Sequence, residues 1–320
     1  MPLPNISIKL GCLAPQLSHI TAGFTMLAQQ GLLCITRAGL APFGQNGSLY
    51  AHDLIVEATV DNEIVVVYDL SQTPDDPLDR EVFDERLDRI AFYYKQNFNQ
   101  DAYRDLRNRQ KVCPLGLNHM VSCHGNFLAR IDPRFEQARM VEEFMSHNSY
   151  PLYKGLFITR LLAQDDKTMP LNQLHIDTIR ACKNTFGPQF LGGLEQSDLA
   201  QQLAPDLILP ELTRDLYLQL LHENFVCIAP KHPHGTLDFA EFLAAGRALV
   251  APPPSLGLPG QFKRGNNFVI YTSPEECVRR LGELLSHTPA IHRMEAANFA
   301  YYNMYVRPDA MIKHTLQGIL

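Results

Sequence analysis

Residues 225–250, FVCIAPKHPHGTLDFAEFLAAGRALV, constrain this chain more tightly than any other stretch, because they spell strand, loop, helix and strand in succession. Phe225–Ala229 is a short apolar run with β-branched character, too short for a helix and bounded by Pro230. Lys231-His232-Pro233-His234-Gly235 is a polar, basic turn. Thr236 can cap a helix running to about Ala245, and Gly246 stands just past its end, where glycine takes left-handed geometry at little cost. Ala248-Leu249-Val250-Ala251 starts the next strand, and Pro252-Pro253-Pro254 stops it. A helix that begins at the carboxyl end of a strand, behind a Lys, two His and a Gly, is a ready anion site. Without a ligand it is an ordinary strand–helix–strand unit.

Composition sets the outer bounds. With 320 residues, 46% hydrophobic and 19% charged, the chain can build two globular cores. A formal net charge of −6 argues against nucleic acid or an anionic membrane as partner, since either favours a basic face. MPLPNISIKLG lacks a basic region followed by a sustained apolar run, so no secretory signal is expected. No stretch approaches the roughly 18 uncharged apolar residues needed to cross a bilayer. The seven cysteines (12, 34, 113, 123, 182, 227 and 277) are scattered and never form a CxxC pair. They read as reduced thiols of a cytoplasmic protein. Cys123-His124, with His119 and Cys113 nearby, fits no standard zinc spacing.

Along the chain, strands are expected at Ile6–Leu10, Leu32–Thr36, Leu54–Val60, Glu63–Leu70 and Ile90–Tyr94. Between and after them come helices from Ser18 or Thr21 to Gln30, over 78–89, at Asp101–Arg109 and at Arg134–Met145. Polar turn residues and a proline in SHNSYPLYK mark a break near 146–154. Beyond it, strands at Leu156–Arg160, Gln189–Leu191 and Asn267–Tyr271 alternate with helices at Leu171–Thr185, Leu212–Glu223, Pro274–Ser286 and Met294–Tyr305. Such alternation implies a parallel sheet with right-handed crossovers. The fold class is therefore α/β, with two domains, 1–150 and 151–320, expected to meet at a cleft formed by the carboxyl ends of their strands.

The second half also resembles a family. GLFITRLL, then HGTLDFAEFLAAGRALVAPP, then GNNFVIYTSPEECVRRLGELL, in that order and spacing, are similar to the donor-binding half of the GT-B glycosyltransferases of group 1 and CgeB-like type. The likeness covers about residues 155–300; before 150 it rests on domain order and size. It implies two Rossmann-like domains, an N-terminal acceptor domain and a C-terminal domain for a nucleotide-diphosphate sugar, with the last helix packing back on the first domain. It places Glu241 on the ribose hydroxyls and the helix N-terminus on the diphosphate, which suits the physics of a dianion against amides and a helix dipole. Thr159-Arg160 and Lys167 stand where the family has Gly-Arg and a Lys. Two positions depart from it: Pro233 replaces an acidic residue, and Asp238 replaces an Arg.

Glycosyl transfer needs a stabilised diphosphate, a base where the reaction inverts, and exclusion of water. The sequence contains no Asp-x-Asp, so the expected stabilisers are Arg160, Lys231, His234, Gly235, Thr236 and the helix N-terminus, with no metal and no cofactor beyond the sugar nucleotide. Asn267, before the strand FVIY, could touch the donor. The base is expected from His19, at the start of the first helix, or from Asp69, at the end of a strongly apolar strand. Asn118 and His119, after CPLG, could orient an acceptor hydroxyl or close a turn. The acceptor is a carbohydrate, a lipid or a protein. The alternatives are a GT-B-like binding protein that has lost the chemistry, and a sugar-nucleotide epimerase.

Overall fold

The alternation in NISIKL turns Ile6, Ile8 and Leu10 to one side, and all three are buried in strand β1 (Asn5–Leu10). The computed structural model describes residues 2–41, 54–71, 80–132, 139–145, 151–163, 165–231, 238–254 and 257–319. After β1 come α1 (Ser18–Gln29), β2 (Cys34–Leu40), β3 (Ile55–Val60), β4 (Ile64–Asp69), α2 (Arg80–Asp88), β5 (Phe92–Lys95), β6 (Val112–Pro114), α3 (Phe127–Ile131) and α4 (Val141–Phe144). They are followed by β7 (Tyr153–Thr159), α5 (Met169–Phe186), β8 (Phe190–Leu194), α6 (Asp198–Leu203), α7 (Arg214–His222), β9 (Asn224–Ile228) and α8 (Asp238–Ala244). The chain closes with β10 (Ala248–Ala251), β11 (Val269–Ile270), α9 (Pro274–Leu285), α10 (Thr288–Tyr301) and α11 (Pro308–Thr315).

Two compact units result: 1–142 with 256–261 and 303–320, and 143–255 with 262–302. In the first, six strands are ordered β2-β1-β3-β4-β5-β6. The sheet is mixed, because β3 runs antiparallel to both β1 and β4. The β3–β4 hairpin turns on Asp61 and Asn62, whose φ angles of 49° and 62° are those of a type I′ turn. Glu63 N–H closes that turn on the Val60 carbonyl at 3.0 Å. The core gathers Ile6, Ile8, Phe24, Val56, Val66 and Tyr68 under α1 and α11. Gly23 allows these two helices to meet, since a Cβ there would run into the Pro308 carbonyl and lie 2.5 Å from Ile312 Cγ1.

The second unit carries a five-stranded sheet, β11-β10-β9-β7-β8, in which every pairing is parallel. Its strands are apolar runs because both faces are covered, and Phe157, Val226, Ile228 and Val250 lie in its core. Helix starts follow the expected chemistry. Ser273 Oγ accepts the Glu276 N–H at 3.2 Å ahead of α9, and Thr213 Oγ1 accepts the Leu216 N–H at 3.3 Å ahead of α7. Gly246 closes the α8 segment at φ 61°.

Several expected elements differ. Asp101–Arg109 is not one helix but lies between and within two short 3-10 turns, Gln100–Tyr103 and Arg109–Lys111, a stretch that buries Tyr103 and Leu106. The second strand begins at Cys34 rather than Leu32 and sits on the sheet edge, where one face of pairing suffices. Met294–Tyr305 is not the last helix: α10 starts at Thr288, a π turn spans Tyr302–Val306, and α11 follows. Pro308, at the first position of α11, disfavours helix at the preceding residue and so separates the two. Among the described residues, no helix is long and apolar enough to cross a membrane.

Candidate functional site

Strand order in the second unit defines where a ligand fits. β7 is the first strand of that sheet and lies between β8 and β9. The chain leaves β7 toward one side and returns on the other, so the β7–β9 junction is the topological switch point. Leu156 of β7 is the register partner of Cys227 of β9. Four residues further along each strand come Arg160 and Lys231, both exposed at the carboxyl edge. The Lys231 N–H donates to Nε2 of His175 at 3.0 Å. His175 is itself fully buried on α5 and packs edge-on to Phe157, with ring centroids 6.0 Å apart. Lys167 is exposed in the turn before α5, where the Asp165 carboxylate accepts the N–H groups of Lys167 and Thr168, each at 2.8 Å. Those bonds hold the Asp165 carboxyl below its ordinary pKa. His234, Gly235 and Thr236 lie outside the described residues.

Glu241 sits on α8, 6% exposed, and is ion-paired with Arg214 of α7. The guanidinium carbon of Arg214 lies 5.2 Å from the Phe144 ring centroid and 5.0 Å from that of Tyr217. Sequence reasoning missed Arg214 and His175. A signal for Arg214 was present: a basic residue in the first turn of a helix opposes the helix dipole and asks for a specific acidic partner.

Asn267 is not placed to touch a donor. It is 1% exposed, its Nδ2 donates to Asn298 Oδ1 at 3.1 Å, and its Oδ1 accepts the Lys263 N–H at 2.9 Å. Asn298 in turn donates to the Arg247 carbonyl at 2.7 Å. Asn267 thus ties the approach to β11 onto α10, a structural role.

The first unit brings His19, Asn118 and His119 together, but below the surface. They are 0%, 2% and 1% exposed, and the two imidazole centroids are 4.9 Å apart, edge to face. His19 Nδ1 lies 3.3 Å from both the backbone N–H and the carbonyl of His119, while Nε2 is buried without a hydrogen-bond partner among the described residues. Burial lowers its pKa from 6.5 to about 4. The ring is neutral, as a base should be, yet it is engaged by backbone and closed to solvent. Asn118 Nδ2 donates to the Gln16 carbonyl at 3.0 Å, which ties it to the chain entering α1.

Asp69, the other expected base, ends β4 beside Lys95, its register partner on β5. Lys95 Nζ lies 3.2 Å from Asp69 Oδ1, the Tyr93 hydroxyl donates to Oδ2, and the Ser71 N–H donates to Oδ1 at 2.8 Å. These donors anchor the Asp69 carboxylate within the sheet. Among the described residues, no group of three or more His, Cys, Asp and Glu side chains is arranged to hold a metal.

No family model matches the sequence, and no curated protein does. Solved structures do. HepE of Anabaena, crystallised with UDP and glucose, is 12% identical, with a TM-score of 0.50 over 97% of each chain. A TarM variant of S. aureus, crystallised with fondaparinux, α-GlcNAc-glycerol and UDP, is 9% identical, with a TM-score of 0.50 over 78% of this chain and 50% of that one. At such identities the likeness speaks for the fold. Together with the mixed sheet of the first unit and the all-parallel sheet of the second, it shows that the chain has the GT-B glycosyltransferase fold of two Rossmann-like domains.

Proposed function

We propose that the protein is a glycosyltransferase that takes a sugar from a nucleoside-diphosphate donor bound at the carboxyl edge of the second unit's sheet. The observation that carries this reading is the placement of Arg160 and Lys231 at the ends of β7 and β9, flanking the switch point. Two cations there suit the diphosphate and the charge that develops on it as the glycosidic bond breaks. Glu241, on the helix that follows β9, supplies an acceptor for ribose hydroxyls. HepE and TarM, which share the fold, were each crystallised with UDP, which makes a uridine nucleotide the first donor to test. With two cations at the switch point and no Asp-x-Asp sequence, the transfer requires no metal, and chelation by EDTA should leave turnover unchanged.

A second reading is favoured by the engagement of both expected bases: a protein that binds the nucleotide without transferring its sugar. Incubation with UDP-glucose, UDP-GlcNAc and GDP-mannose separates the two. Release of nucleoside diphosphate on addition of glycan or lipid acceptors supports transfer. Binding with no release under any acceptor leaves the binding protein.

A further inference from the structure

The contact between Arg214 and Glu241 reaches beyond the assignment of Glu241 alone. Glu241 is 6% exposed, and a buried carboxylate that must accept hydroxyl hydrogens needs both a counter-charge and a fixed orientation. Arg214 supplies both. Its guanidinium bonds Glu241 Oε1, while the Phe144 and Tyr217 rings, 5.2 and 5.0 Å from its carbon, hold the guanidinium in place. Phe144 is fully buried, and its carbonyl lies 3.2 Å from Nε2 of His222, at the far end of α7. Arg214 is therefore a planar group, partly exposed, whose carbon lies over two rings and whose edge meets the carboxylate. The bond falls on one oxygen, which directs the other lone pairs of the carboxylate away from the guanidinium.

We propose that Arg214 is a positioning residue for ribose recognition: it turns the Glu241 carboxylate so that its remaining acceptor capacity meets a vicinal diol, and thereby makes the site select ribonucleotides over 2′-deoxyribonucleotides. This rests on the nucleotide-sugar reading above. A lysine cannot reproduce it, because an ammonium lacks the flat fork that stacks on the rings and fixes the carboxylate.

The test is a calorimetric titration of UDP, GDP, ADP and CDP, each beside its 2′-deoxy counterpart, into wild type, R214M, R214K and R214M/E241Q. Wild type should prefer the ribonucleotide by roughly 10-fold or more, the range for a hydrogen bond to a charged group. R214M should lose that preference to within about twofold while its 2′-deoxynucleotide affinity stays near wild type. R214K should restore little of the preference, and the double variant should behave like R214M. Should R214M unfold, R214K, which keeps a charge opposite Glu241 without the flat fork, carries the same comparison. Equal weakening toward both sugars, or undiminished preference in the variants, overturns the role of Arg214 while leaving the nucleotide site in place. A wild type that binds none of the nucleotides overturns both.

Discussion

Asp69 and Lys95 are register partners on adjacent parallel strands, joined by a salt bridge of 3.2 Å at the carboxyl edge of the first unit's sheet with both side chains withdrawn from water. Lys95 also donates to the Ser71 carbonyl at 2.8 Å. Removing one partner leaves the other charge buried, so Lys95→Met should destabilise the protein by about 3–5 kcal/mol in urea unfolding. Asp69→Asn should likewise lose stability. Loss of turnover in Asp69→Asn at unchanged stability would instead make Asp69 the catalytic base and contradict its role as the buried anchor of Lys95.

His19 sets a pH dependence. Its pKa falls from 6.5 in the unfolded chain to about 4 in the fold because burial disfavours the imidazolium. Between those two values the unfolded chain binds the extra proton, so stability is complete above about pH 6.5 and declines as pH falls toward 4, by roughly 3 kcal/mol in all. Urea midpoints measured from pH 7 to 4.5 should fall more steeply for wild type than for His19→Gln. Burial pushes the Asp309 pKa up, but its bonds to Arg307 and Gln30 outweigh that and hold it below 3.8, so its loss is added only at lower pH. Parallel slopes for the two proteins would show that His19 is charged in the fold.

Gly23 fixes the approach of α1 to α11. The Cβ of Gly23→Ala would meet the Pro308 carbonyl, a backbone atom that cannot rotate away. The expected cost is about 1–3 kcal/mol, seen as a lower thermal midpoint. An unchanged midpoint would mean that α11 does not dock there in solution.

Asn267 separates donor contact from scaffold. Asn267→Ala removes the bonds to Asn298 and to the Lys263 N–H. It should cost about 1–3 kcal/mol of stability and leave nucleotide affinity within about twofold of wild type. Weaker nucleotide binding at unchanged stability would return Asn267 to the donor site.

Local chemistry made much of the second unit legible in advance. The apolar run before Pro230, Gly246 and the Ser273-Pro274 start each use one short-range rule, and β9, α8, β10 and α9 fall within about two residues of their expected places. The mixed sheet of the first unit was not legible, because strand direction is decided by connections and not by a strand's own residues. The site shows the same division. The end of β7 located Arg160, and the helix pattern located Glu241. Arg214 pairs with a residue 27 positions away, and His175 meets the Lys231 N–H across 56. His19 and Asp69 stood at the right strand and helix ends, yet their partners, Lys95 at Asp69 and the His119 backbone at His19 Nδ1, come from elsewhere in the chain and are not visible in the local sequence.

The proposed activity depends on a nucleoside diphosphate settling at Arg160, Lys231 and Glu241. Isothermal titration with UDP, GDP, ADP and CDP should find at least one that binds at a single site, and Glu241→Ala should weaken it by about 10-fold or more without unfolding the protein. At 100 times its dissociation constant that nucleotide should also stabilise the fold by roughly 2.7 kcal/mol. Absence of heat and of any stabilisation with all four, or full affinity in Glu241→Ala, contradicts the site.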